Sequence, residues 1–207
     1  MRGMPPGRSA RPWLLHRLEV AARGIDVLEQ KVQALVGEQR RLRTHAERTR
    51  DAWAQASRTA ERWVLRTRAI GGAQQLELVS AQLVRGADAR ITWPTIMGVT
   101  YPAQVRLDAP TVDAAGSLAR SSALPFAAEA YRRAAAAALD HAAATRALEL
   151  VERELASTRR RLRGLEHHWV PRLHATLSEV EQRLAENERE DTVRSRWVVE
   201  RDERSRR

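Results

Sequence analysis

From Leu14 to Ile70 a small or apolar residue recurs at steps that alternate between four and three, unbroken for eight heptads. The positions are Leu14, Leu18, Ala21, Ile25, Leu28, Val32, Leu35, Gln39, Leu42, Ala46, Thr49, Trp53, Ala56, Ala60, Trp63, Thr67 and Ile70, and only Gln39, Thr49 and Thr67 among them are polar. Such a stripe is too narrow to face a globular core, but it suits one helix laid against another, as in a coiled coil. At 1.5 Å per residue a helix of that length reaches about 85 Å. A chain of 207 residues cannot enclose it in a compact domain. A second long helix has to return along it.

That helix is readable in the last third. Leu155, Thr158, Leu162, Leu165, Trp169, Leu173, Leu177, Val180 and Leu184 form a second seam, stepping three and four except for added fours around Pro171. Added fours act as stutters, which locally unwind a supercoil. Pro171 has no N–H for the carbonyl of His167, so a bend is expected there. Upstream, the run from Phe126 to Arg161 is Ala-rich and unbroken by Gly or Pro. It is a strong helix former with small residues on its apolar face, which lets two helices approach closely.

Between the helices the character changes. Gly71-Gly72 is a helix stop. Beyond it come β-branched residues, Gly98, and prolines at 94, 102 and 110. Ile91 to Trp93, Ile96 to Val99 and Gln104 to Leu107 read as short strands, with the prolines confined to edges or bulges. The expected fold is mostly all-α: a long antiparallel two-helix coiled coil from the N- and C-terminal thirds, with a small β-hairpin-containing lobe between them. Its expected divisions are a flexible arm over 1–12, a helix over 13–70, a lobe over 71–125, a helix over 126–199 and a frayed tail over 200–207.

Charge and composition narrow the function classes. The net charge of +10 raises nucleic acid as a partner, but basic and acidic groups are interspersed along both helices and form no single patch. Of the 36 basic residues only Lys31 is not arginine, which reads as a compositional habit. No cysteine is present, so disulfides are excluded. No apolar run approaches the 18 residues of a membrane span, so no direct membrane insertion is expected.

Sites of chemistry are not found. There is no GxxxxGK[ST] or GxGxxG phosphate loop. His167 and His174 stand a heptad apart, unlike the i, i+4 pair of a zinc-binding helix, and His168 shares no face with Glu166. Exposed helix histidines are expected, with no metal and no cofactor. Glu186, Glu188, Glu190 and Asp191 lack the burial that would split carboxylate pKa values for acid–base work. Pairing with Arg183, Arg189 and Arg194 is expected instead. Of Trp53, Trp63, Trp169 and Trp197, which could stack on bases, the first three fall on the seams and read as core. An enzyme is disfavoured. A basic coiled-coil scaffold or nucleic-acid-binding protein stays open as an alternative.

The run TRRRLRGLEHHWVPRLHATLSEVEQRLAENEREDTVR resembles the C-terminal helix of the D subunit of V-type and A-type rotary ATPases. The resemblance is carried by Thr158, Arg159, Arg160, Arg161, Leu165, Glu166, Pro171, Arg172, Leu173 and Thr176, of which Arg161, Glu166, Pro171 and Arg172 mark the motif. Gly164, His167, His168 and Trp169 depart from it. In the first helix Ala22, Arg23, Gly24, Leu28, Lys31 and Leu35 are similar to the family, while Ile25, Val32 and Gln33 differ; IMGVTYP resembles its proline-ended lobe motif. The resemblance implies a non-catalytic central-stalk rotor that couples ATP synthesis or hydrolysis to proton or sodium transport. The partners it implies are the small F subunit of the stalk, the hexameric head of A and B subunits, and a C/d-type subunit on the membrane ring, with no nucleic acid. It also implies a cytoplasmic location, peripheral to the cell membrane through the complex.

Overall fold

The computed structural model describes residues 3, 5–71, 86–109 and 122–205. The expected helix stop at Gly72 and the lobe segments 72–85 and 110–121 lie outside them.

A short 3-10 turn, Gly7–Ser9, leads into helix α1, Ala10–Gly71. Four short strands follow: β1, Asp88–Thr92; β2, Thr95–Ile96; β3, Val99–Thr100; and β4, Gln104–Asp108. Helix α2, Leu124–Gly164, passes through a π turn, Leu165–Trp169, into helix α3, Val170–Ser205. The fold is mostly helical, with two long helical runs around a small β region. Helix α1 starts at Ala10, with Pro12 inside it, whereas the sequence places its start at Trp13. The first N–H groups of a helix have no intrahelical partner, so a proline in the first turn forfeits nothing. Helical backbone also continues to Ser205, past the point where fraying is expected.

The chain divides into two compact units. One consists of residues 1–32 and 157–207. Here the start of α1 runs antiparallel to α3: the Arg11 guanidinium donates to Glu181 Oε1 at 2.9 Å, while Gly24 faces Leu165. Its core joins Ala10, Leu14, Leu173 and Val180, flanked by Trp13, Leu18, Leu177 and Leu184.

The other unit is residues 33–156, where the rest of α1 runs antiparallel to α2. Gln39 donates to Glu152, Trp53 stacks on His141, and Trp63 stacks on Phe126, so partners count in opposite directions. The packing here is rich in alanine, beside the buried Leu35, Leu42, Val151 and Leu155. Ala60, Ala130 and Ala134 form one cluster with Ala56 and Trp63 around it, and Ala143, Ala144 and Ala147 are buried as well.

In this second unit the strands make two antiparallel pairs, β1 with β4 and β2 with β3. The sequence reads Ile96 to Val99 as one strand, but the chain reverses there. Met97 and Gly98 both have positive φ, 50° and 80°, as the central residues of a type I′ hairpin turn require. Thr92 pairs with Gln104 and Thr95 with Thr100, so two residues on one side oppose three on the other. That surplus residue is a bulge. Pro102 lies in it, where its missing N–H interrupts no ladder bond.

Candidate functional site

The expected seam residues take graded positions. Leu35, Leu42, Leu173 and Val180 are buried. Leu18, Ile25, Leu28, Val32, Trp63, Leu162, Leu165, Leu177 and Leu184 are half-buried. Trp53 and Trp169 are more open, at 41% and 39% exposed. Trp53 keeps its ring on His141 at 5.5 Å between centroids. Of the motif residues, Glu166 is half-buried and Arg161, Pro171 and Arg172 are exposed.

The reason for Trp169's exposure is local. The Val170 N–H bonds to the Leu165 carbonyl, five residues back, which makes the turn between them π rather than α. The wider turn relieves the contact a proline ring makes with the carbonyl four residues before it, and Pro171 follows directly. Val170 is half-buried. It starts a clean alternation of three and four through Leu173, Leu177, Val180 and Leu184. Trp169, the residue expected on the seam, is 39% exposed, and Val170 beside it is the more covered of the two.

Among the described residues, one polar cluster with displaced ionisation joins the lobe to α1, inside the second unit. Tyr101, in the bulge after β3, is 1% exposed, and its hydroxyl donates to Glu38 Oε1 at 2.6 Å. Arg41 donates to both carboxylate oxygens of Glu38, with Nε to Oε2 at 2.9 Å. The Arg41 bonds hold Glu38 below the ordinary carboxylate range, assisted by Tyr101 and opposed by burial. Burial, then the Glu38 bond and charge, push the Tyr101 hydroxyl up. Sequence periodicity could not find this contact, because Glu38 lies off the seam and Tyr101 lies in a loop. The arrangement fastens the lobe to α1.

Elsewhere the surface is ordinary. His167, His168 and His174 are exposed, and among the described residues no three His, Cys, Asp or Glu side chains come together as metal ligands would. Glu186, Glu188, Glu190 and Asp191 are exposed too. No ion pair among the described residues joins them to Arg183, Arg189 or Arg194, so the expected pairing is not formed. Intrahelical pairs lie elsewhere, such as Arg132 and Arg133 on Glu129. Trp63 carries Phe126 on one contact and the Arg66 guanidinium at 4.9 Å on another. Trp197 is 66% exposed. No helix among the described residues is long and apolar enough to cross a membrane.

Paired helices closed by a seam, with a lobe fastened to one of them, define a structural and mechanical protein. The model of the family described as the ATP synthase D subunit matches residues 14–200. The chain is 28% identical over 188 residues to the A-type ATP synthase D subunit of Halorubrum lacusprofundi, covering 88% of this chain and 81% of that one. It is 29% identical over 189 residues to the A-type ATP synthase D subunit of Methanopyrus kandleri, covering 89% and 81%. To the V-type ATP synthase D subunit of Thermus thermophilus it is 30% identical over 188 residues, covering 88% and 81%. The chain belongs to the ATP synthase D-subunit family. As such it is a non-catalytic central-stalk subunit of a rotary ATPase complex, engaged in ATP synthesis and ion transport. The scaffold and nucleic-acid alternative is not favoured.

Proposed function

We propose that this chain is the rotor shaft of that complex. It carries rotation between the hexameric head of A and B subunits and a C/d-type subunit on the membrane ring, with the small F subunit bound alongside. Proton or sodium flow turns the ring, the shaft turns with it, and the catalytic sites in the head change state in sequence. The shaft lies on the cytoplasmic side, held at the membrane through its neighbours. The observation that carries this reading is the antiparallel pairing of helices in each unit, Arg11 with Glu181 in one and Gln39 with Glu152 in the other. Returning helices resist being unzipped by twist, which a single helix does not.

The test is rotation. A bead fixed to this chain in a complex tethered by its head should turn when ATP is added. A reversible disulfide from the shaft to the head should stop both turning and hydrolysis, and reduction should restore them. Steady hydrolysis with a motionless bead in an intact, coupled complex would overturn the reading.

A further inference from the structure

The apolar seam leading into α3 is written in two frames that disagree by one residue. Thr158, Leu162 and Leu165 keep steps of four and three, and so do Val170, Leu173 and Leu177; the step between the two sets is five. One surplus residue in a regular α-helix turns everything beyond it by about 100°. Both frames nevertheless face α1: Leu165 lies beside Gly24, and Leu173 sits in the core with Leu14. The π turn reconciles them, because five residues complete its turn and the Val170 N–H reaches the Leu165 carbonyl.

The turn is held by little else. It contains no buried residue. His167, His168 and Trp169 are exposed. A Cβ on Gly164 would meet nothing within 4 Å, and one on Gly24 would meet Leu165 Cδ1 only at 4.0 Å. Pro171 contributes no N–H on the far side. The seam is fully buried at Thr158 before the turn and at Leu173 after it, and holds no buried residue within it.

We propose that Leu165–Trp169 is a register joint: a one-residue surplus that keeps two seam frames on the same partner helix and takes up twist between them locally. Twist applied across the joint widens or tightens the π turn, and neither Leu165 nor Leu173 has to leave the seam. The geometry belongs to the first unit alone, so the proposal is tested on the free full-length chain, without the rotor reading.

Deletion of His168 shortens the step from Leu165 to Val170 to four and merges the frames. A regular helix there would bring the proline's own penalty, so the deletion is made in a Pro171→Ala background and compared with Pro171→Ala alone. The merged chain should melt at or above the temperature of its parent. Amide exchange over 166–170 should slow at least about tenfold. Deletion of the exposed Glu179 in the same background is the contrast, since it swings Val180 and Leu184 off the seam. It should lower the melting temperature by about 5–10 °C. The joint is refuted if the His168 deletion destabilises as much as the Glu179 deletion. It is also refuted if the Glu179 deletion melts like the parent, or if the parent's 166–170 amides exchange as slowly as those of 176–180.

Discussion

The hydroxyl of Tyr101 donates to Glu38 Oε1 at 2.6 Å, tying residues 63 positions apart in the chain. Tyr101 sits in the bulge between β3 and β4, and the bulge turns its ring inward, where it is 1% exposed. The small β lobe has two-stranded pairs and few buried side chains of its own. Among the described residues, side-chain hydrogen bonds between this lobe and α1 run through Tyr101, to Glu38 and from Arg41.

Tyr101→Phe keeps the ring and removes the donor. Glu38 still has Arg41, so the cost should be at the lower end for a hydrogen bond to a charged group, about 1.5 kcal/mol. Amide exchange in β1 and β4 should quicken, while that of α3 should not change. Equal exchange in the lobe of both proteins would show that the anchor is not used.

The same contact predicts an alkaline weakness. The folded Tyr101 hydroxyl has a raised pKa, so the unfolded chain releases its proton first as pH rises. Stability from this group is complete below the ordinary tyrosine value, about 10, and falls as pH climbs through the higher folded value. Thermal melts from pH 9 to 12 should show a steeper loss in the parent than in Tyr101→Phe. Parallel curves would contradict it. On the acid side, Glu38 has a lowered pKa, so its contribution is present above the ordinary carboxylate range and is lost as pH falls through the folded value.

Leu173 and Trp169 should part company under mutation. Leu173 is fully buried in a cluster with Leu14, so Leu173→Ala should cost about 2–5 kcal/mol. Trp169→Ala removes a larger side chain from an exposed turn and should cost under about 1 kcal/mol. Chemical denaturation of the two variants measures both. A larger loss for Trp169 would put that residue back in the seam.

Gly24 lies inside α1, where glycine costs roughly 0.5–1 kcal/mol relative to alanine. An added Cβ would sit 4.0 Å from Leu165 Cδ1, an ordinary contact. Gly24→Ala should raise the melting temperature by about 2–4 °C. A drop would mean that the helices close more tightly in solution than this spacing.

Met97 holds φ 50° in the hairpin turn. A left-handed backbone costs a β-carbon-bearing residue about 1–2 kcal/mol, less for asparagine. Met97→Asn creates the preferred Asn-Gly turn and should stabilise β2 and β3 by up to about 1 kcal/mol. Slower amide exchange at Thr95 and Thr100 would register the gain, and faster exchange would contradict it.

How much of this was legible in sequence depended on whether periodicity carried it. Leu14, Leu35, Leu42 and Leu173 are buried where the heptad count puts them, because a seam is a repeated local pattern. Ile70 is on the same count and is 65% exposed, since a pattern cannot say where the partner helix ends. Trp169 and Val170 are a closer case. Both fit a run of fours and threes in part, and apolar size favours the tryptophan. In the structure the tryptophan is 39% exposed and the valine half-buried, its N–H bonded to the Leu165 carbonyl five residues back. The strand residues Ile96 to Val99 were visible as β, yet the reversal needed two positive φ angles, one of them on a methionine, which few sequences would advertise. The Tyr101 anchor left no trace at all. It is a single pair, far apart in the chain, outside every repeat.

The alanines of α2 have a consequence beyond their small area. Alanine has no side-chain torsion to freeze, so burying Ala130, Ala134, Ala143 or Ala147 costs no rotamer entropy, whereas each leucine of the first unit loses about 0.5–1 kcal/mol of it. An alanine face also has a single conformer, and so a single outline. Heating a leucine seam broadens the set of ways it can fit. Heating an alanine seam leaves its shape to the backbone alone.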